Sequence, residues 1–294
     1  MNRGMVCVML FLLLLAAAPA RACTLWAANG SVVKGGGSMI VKNRDWIPNQ
    51  IETLKLVTPG SGYRYLGLYA AGRYGGIKAG INEKGLVVVS ATVASLPAKE
   101  RRAMPHSRGV LVKLLRECGS VEEALARTDL FLGPEILMLA DKNQVATIEI
   151  GPAGKSLVTS RANGSIYHTN HYVDNGMQGF NQRIGESSLK RYARIGQLLA
   201  SAAMPYDFKT FLSFSGDRDA GPNDSIFRTG STPGRTRTVA VWAVDLPKKG
   251  APQVFVKILN PGEKAETFWV NATDVFSAHW RRRPLSISPA PTRP

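Results

Sequence analysis

An α+β fold of two mostly antiparallel sheets, with helices layered outside them, is what this sequence predicts. Three observations predict it. Strand-like and helix-like stretches come in blocks, strands then helices then strands again, not in the alternation that builds a parallel βαβ sheet. No internal repeat occurs, and Gly35-Gly36-Gly37 is not followed by a helical pattern, so a dinucleotide-binding reading fails its context. Size is the third: without its first 22 residues the chain keeps 272 of its 294, enough for one large domain with a sizeable core.

The chain opens on what reads as an export signal. Arg3 supplies the positive start, residues 6–18 are an unbroken apolar run, Pro19 breaks it, and Ala20-Arg21-Ala22 has the small-x-small pattern of a cleavage site. That run of 13 is short for a bilayer span, which needs about 20 residues. The expected organisation is therefore a removed signal at 1–22, one domain at 23–280 and an unpacked tail at 281–294 carrying four prolines. The expected location is outside the cytoplasm, periplasmic or secreted, with no integral membrane segment after the signal is gone.

Loss of Arg3 and Arg21 lowers the net charge from +16 to +14. Apart from Arg281-Arg282-Arg283 the basic residues are spread along the chain, so the reading is a cationic solvated surface and no nucleic-acid partner. Cys7 leaves with the signal, and Cys23 and Cys118 remain. Cys118 stands at helical spacing from Leu111, Leu114 and Leu115 and reads as a buried apolar residue, so the two are expected to stay unbridged.

Residues 24–28 and 39–43 read as two strands around the glycine run. A hairpin centred near Lys34 would place Cys23 and Asp45 opposite each other, with a carboxylate beside the new N-terminus. Residues 55–74 interleave tyrosines with basic residues, the mark of a half-buried sheet. A turn at 79–86 leads to a buried strand at 86–90. Residues 93–107, with Pro97 and Pro105, read as a loop, and 107–118 and 120–127 as helices, the second opened by a Ser120-x-x-Glu123 capping box. Strands follow at 135–140 and 145–150, and a strand-like run at 165–172. The strongest helix is 186–203, with Leu189, Tyr192, Ala193, Gly196 and Leu199 along one side. Strands at 236–244, 253–258 and 267–270 complete the chain.

No metal or cofactor is expected. Of His106, His168, His171 and His279, only His168 and His171 are close, and on a strand a spacing of three points them to opposite faces. No Gly-x-Ser-x-Gly elbow marks a serine nucleophile. Cys23 remains. At a free N-terminus it carries a thiol and an α-amine on neighbouring atoms, nucleophile and general base in one residue. Ordinary thiols titrate near about 8.5 and α-amines near about 7.7–8.0, so the amine can take the thiol proton and return it to a leaving nitrogen. Asp45 would orient the amine.

Cys23-Thr24, Lys42-Asn43-Arg44-Asp45-Trp46, the block from Gly80 to Leu86 and Thr169-Asn170-His171 together resemble the cysteine N-terminal-nucleophile (Ntn) hydrolases: choloylglycine hydrolases, penicillin V acylases and relatives of acyl-CoA:6-aminopenicillanic acid acyltransferase. The resemblance runs from Cys23 to about Leu246. It implies a four-layer αββα sandwich and cleavage of a non-peptide N-acyl amide through a thioester. It implies Cys23 as nucleophile, Asp45 holding the amine, Asn170 in the oxyanion hole and Arg228 in support. Lys42 stands where bile-salt and penicillin members carry arginine, with Arg44 an added cation near the thiol. Their second oxyanion asparagine falls on Thr92, so bile salts and penicillin V fit less well than the acyltransferase branch. The expected partner is a small-molecule N-acyl amide, with an oligomer allowed. Acyl transfer to an amine is the alternative with the same intermediate. From another class, the alternative is a cationic extracytoplasmic binding protein or lipoprotein acylated at Cys23. A lipoprotein signal wants a leucine-like residue at position 20, where Ala20 stands.

Overall fold

The computed structural model describes residues 22–72 and 74–277. The rest of the expected signal, Arg73, His279, the end of the expected domain and the 281–294 stretch lie outside the described residues.

In chain order come β1 (Ala22–Asn29), β2 (Gly37–Trp46), β3 (Glu52–Val57), β4 (Tyr65–Ala70), β5 (Gly76–Asn82) and β6 (Val87–Ala91), then α1 (Ala98–Ala103), α2 (Val110–Glu117) and α3 (Val121–Leu125). Next are β7 (Glu135–Ala140), β8 (Val145–Ile150), β9 (Ser156–Arg161) and β10 (Gly164–His168), followed by α4 (Glu186–Ser201), α5 (Phe208–Ser213) and α6 (Gly221–Asp224). The chain then forms β11 (Arg237–Pro247), β12 (Gln253–Ile258), β13 (Glu266–Asn271) and α7 (Ala272–Val275). β7, β8 and β12 have the predicted bounds. The region read as a loop at 93–107 contains α1, and β9 was not anticipated.

One sheet has the order β10-β1-β2-β11-β12-β13 and the other runs β3 to β9 in sequence. Every pairing between neighbouring strands of the two sheets is antiparallel. Alternation along each strand sorts the core into three slabs. Cys23, Leu25, Ala27 and Ile40 face Ile81, Val87, Val89 and Met138 between the sheets. On the outer face of the second sheet, Val88, Leu137 and Ile148 meet Leu111, Leu114 and Val121 of α2 and α3. Trp26, Met39 and Val41 meet Ile195, Leu199 and Phe211 of α4 and α5 on the outer face of the first. The result is the αββα sandwich. Cys23 and Cys118, the two cysteines among the described residues, are unpaired and sit in different slabs.

Local signals explain several elements. Ser120 Oγ accepts from Glu123 N at 3.1 Å, as the capping box requires, while Glu123 Oε2 reaches back one residue further than expected, to Gly119 N at 2.7 Å. The strongest helix, expected at 186–203, ends two residues sooner at Ser201, and of the expected apolar side only Leu199 belongs to its buried face. Ser188, Arg191, Ile195 and Leu199 point inward, and Leu189 is 47% exposed.

The β1–β2 register also differs from the expectation. Cys23 pairs with Arg44, and Asp45 pairs with Ala22. A short 3-10 turn at Gly30–Val32 and left-handed glycines at 35–37 make an eight-residue connection centred between Val33 and Lys34, half a residue before the assumed centre. Gly37 ends that connection at φ +89, and a Cβ there would sit 2.2 Å from the Leu246 carbonyl oxygen of β11.

Candidate active site

The one-residue register shift decides which groups meet. Directly paired residues share a face, so Arg44, and Lys42 opposite Leu25, lie on the thiol's side between the sheets. Asp45 lies on the other side, toward the helices, one position along the ladder in the direction of the Cys23 nitrogen. Cys23 and Asp45 are therefore not opposite each other as expected: the carboxylate is in register with residue 22. Both faces nevertheless open to one cleft of about 120 Å³, because Cys23 is at the strand end; Cys23, Lys42, Asp45, Thr92, Trp46 and Lys78 line it.

Asp45 is fully buried. Its Oδ1 accepts from Thr238 Oγ1 at 2.8 Å, and its Oδ2 has no hydrogen-bond partner, with Arg228 Nη1 at 3.8 Å. A bulge makes the Thr238 contact. β11 slips register between Thr238 and Ala240, so Ala240 stays on the inter-sheet face with Arg44 while Thr238 turns to the helix face with Asp45. Burial pushes the Asp45 carboxyl above its usual range, opposed by the nearby charges of Arg228 and Arg191 and by the Thr238 bond.

Asn170 follows β10, and its side chain bridges to the backbone of Cys23. Its Oδ1 accepts from Cys23 N at 2.8 Å and from Arg191 Nη2 at 3.0 Å, while its Nδ2 donates to Thr92 O at 2.9 Å. Each partner can play only one role, so the amide's orientation is fixed, and Nδ2 keeps one hydrogen for another acceptor. Thr92 thus meets the site through its carbonyl. Ser188 Oγ accepts from Asn170 N at 3.0 Å and stands 2.9 Å from His171 Nδ1.

The added cations have separate roles. Lys42 is buried, its Nζ donating to Lys78 O and Ser90 O, each at 2.6 Å, and burial pulls it down to about 8 against the favourable charge of Cys23. Arg44 is bound to Glu52 at 2.9 Å and Gln50 at 2.5 Å, with its guanidinium 5.0 Å from the Trp46 ring centre.

Sequence reasoning missed Arg191 and Ser188. Arg191 Nη1 donates to Cys23 O at 2.6 Å and to Thr24 Oγ1 at 2.9 Å. Drawing the α4 stripe through Ile195 and Leu199 would have put an arginine and a serine on a buried face, the available signal. Of the histidines, His168 pairs with Glu149 at 2.6 Å, and His171 lies past the end of β10, not on it as expected. Among the described residues no cluster of His, Cys, Asp and Glu could hold a metal.

Residues 32–255 match the family of acyl-coenzyme A:6-aminopenicillanic acid acyl-transferase. The chain belongs to this family. The matched span contains the site residues from Lys42 to Arg228, and Cys23 precedes it by nine positions. In this member of the acyl-transferase family two antiparallel sheets stack face to face with helices outside them, the arrangement its motifs lead one to expect. Penicillin V acylase from Agrobacterium tumefaciens is 16% identical, with a TM-score of 0.49 over 85% of this chain and 86% of that one. A variant of conjugated bile acid hydrolase from Clostridium perfringens is 14% identical, with a TM-score of 0.48 over 86% of this chain and 93% of that one. No curated protein matches the sequence.

Proposed function

We propose that this chain is an exported amidohydrolase whose nucleophile is Cys23 at a freed N-terminus, acting on a small N-acyl amide. The observation that carries the reading is the hydrogen bond from Cys23 N to Asn170 Oδ1, with buried Asp45 in register with residue 22. Removal of residues 1–22 converts that nitrogen to an amine, with Asn170 Oδ1 as its acceptor.

The chemistry then balances as follows. The thiol proton passes to the α-amine as Sγ bonds to the substrate carbonyl carbon. The remaining Nδ2 hydrogen of Asn170 is the donor for the tetrahedral oxyanion, and the cations of Lys42 and Arg44 favour negative charge on the inter-sheet side. Collapse breaks the C–N bond, the amine's proton leaves on the departing nitrogen, and a thioester remains on Cys23. Water, deprotonated by the same amine, releases the acid and regenerates the thiol. Asp45 holds the ammonium form, and Arg228 balances Asp45.

The family match favours a second reading, in which an amine in place of water takes the acyl group. The lipoprotein alternative suits the geometry poorly, since Cys23 is buried and paired with Arg44 of β2. Screening N-acyl amides with wild type and Cys23→Ser tests the proposal. The serine variant should lose at least about 1000-fold in kcat, because the amine is matched to a thiol and not to a hydroxyl. Equal cleavage by both forms overturns it, and products formed with an added amine separate hydrolysis from transfer.

A further inference from the structure

Arg191 is the most deeply engaged cation of the site. It is 1% exposed, and its hydrogen bonds go to neutral acceptors: Cys23 O, Thr24 Oγ1, Asn170 Oδ1 and, at 3.3 Å, Ser187 Oγ. A guanidinium buried only to brace a strand would be expected to meet a carboxylate, because desolvation of the charge is otherwise poorly offset. Here the first carboxylate acting on it is Asp45, at longer range. Two of its bonds end on the residue proposed as nucleophile and on the amide that contacts that residue's nitrogen. One turn earlier on the same helix face, Ser188 accepts from the Asn170 backbone, so α4 grips Asn170 at both main chain and side chain.

We propose that Arg191 is a positioning residue for the Cys23 amine: its fork ties the Cys23 carbonyl to the Asn170 side-chain oxygen and holds a fixed positive charge beside the nitrogen that must accept the thiol proton. The inference rests on the reading of Cys23 as an N-terminal nucleophile. A neighbouring cation disfavours the ammonium and favours the neutral amine, the form that works as base. The charges around that nitrogen are Asp45 from β2, which favours the ammonium, and Arg191 from α4, Arg228 from the segment before β11, and Lys42 and Arg44 from β2, which oppose it. Burial lowers Arg191 only to about 10, so it stays charged at neutral pH.

The test uses the processed full-length protein with Arg191→Met and Arg191→Lys. Two readouts are taken against pH: alkylation of Cys23 by iodoacetamide, located by mass spectrometry, and kcat/KM on an N-acyl amide that wild type cleaves. With Arg191→Met the acid limb should move up by about one pH unit in both, because the amine then keeps its proton to higher pH. With Arg191→Lys the limb should stay near wild type, while kcat falls at least about tenfold at similar KM, since an ammonium supplies charge but cannot bridge two oxygens. An unmoved limb in Arg191→Met overturns the proposal whether or not activity is lost. If that variant does not fold, a change confined to KM in Arg191→Lys overturns it instead. Should no amide be cleaved, or Cys23→Ser prove as active as wild type, the nucleophile reading fails separately and the alkylation profiles still decide the role of Arg191.

Discussion

Arg44 stands directly across the ladder from Cys23, on the same face of the sheet, and its charge is held there by Glu52. Both side chains are almost wholly buried, at 3% and 0% exposure. Glu52→Gln removes the counter-charge and leaves the guanidinium uncompensated, a loss of about 3–5 kcal/mol. Thermal unfolding should show it as a melting temperature lower by roughly 6–15 °C. A drop below about 2 °C would mean that Arg44 finds another partner.

Lys42 predicts the basic limb. Burial pulls its ammonium down to about 8, so as pH rises through that value one of the cations on the inter-sheet side of Cys23 loses its charge. Wild-type kcat/KM should therefore decline above about pH 8. Lys42→Arg keeps the charge at all relevant pH and should extend the plateau upward, even if the larger group lowers its height. Identical basic limbs in the two proteins would remove Lys42 from the account.

Thr238 is the only hydrogen-bonding partner found for the Asp45 carboxylate among the described residues. Thr238→Val keeps the shape and removes the hydroxyl, which also accepts from Arg228 N. Stability should fall by about 1–3 kcal/mol in denaturant titrations. With the carboxylate no longer fixed, kcat should fall about tenfold at little change in KM. A stability loss with unchanged kcat would confine Asp45 to a structural role.

His171 predicts an acid dependence of stability. Burial pulls its imidazole down from 6.5 to about 4, so between those values the unfolded chain binds a proton that the folded chain does not. The stability associated with it is full above 6.5 and is lost as pH falls toward 4. His171→Asn does not titrate and should show a flatter melting temperature over the same window. Parallel curves would contradict the assignment.

Much of this architecture was legible because strands and turns leave local marks. The runs at 135–140, 145–150 and 253–258 are apolar and bounded by turn residues, and they became β7, β8 and β12 with unchanged bounds. Spacing alone could not set the β1–β2 register, since the turn geometry at Gly30–Val32 shifts every pair by one partner. Cys23, Asp45, Lys42, Thr92 and Asn170 were found through motifs. Arg191 was not, because a helical arginine ordinarily reads as solvated, and only the tertiary placement of α4 against β1 makes it interior. The bulge before Ala240, which aims Thr238 at Asp45, likewise depends on pairing and not on composition.

The central claim is that the sulfur of Cys23, at a freed N-terminus, carries the acyl group. Acid quenching during turnover of an N-acyl amide, followed by digestion and mass mapping, reads it directly. A thioester-linked acyl group is expected on a peptide that begins at Cys23, absent after hydroxylamine treatment. An acyl group on any other residue, or an active protein still carrying Ala22 ahead of Cys23, would contradict it.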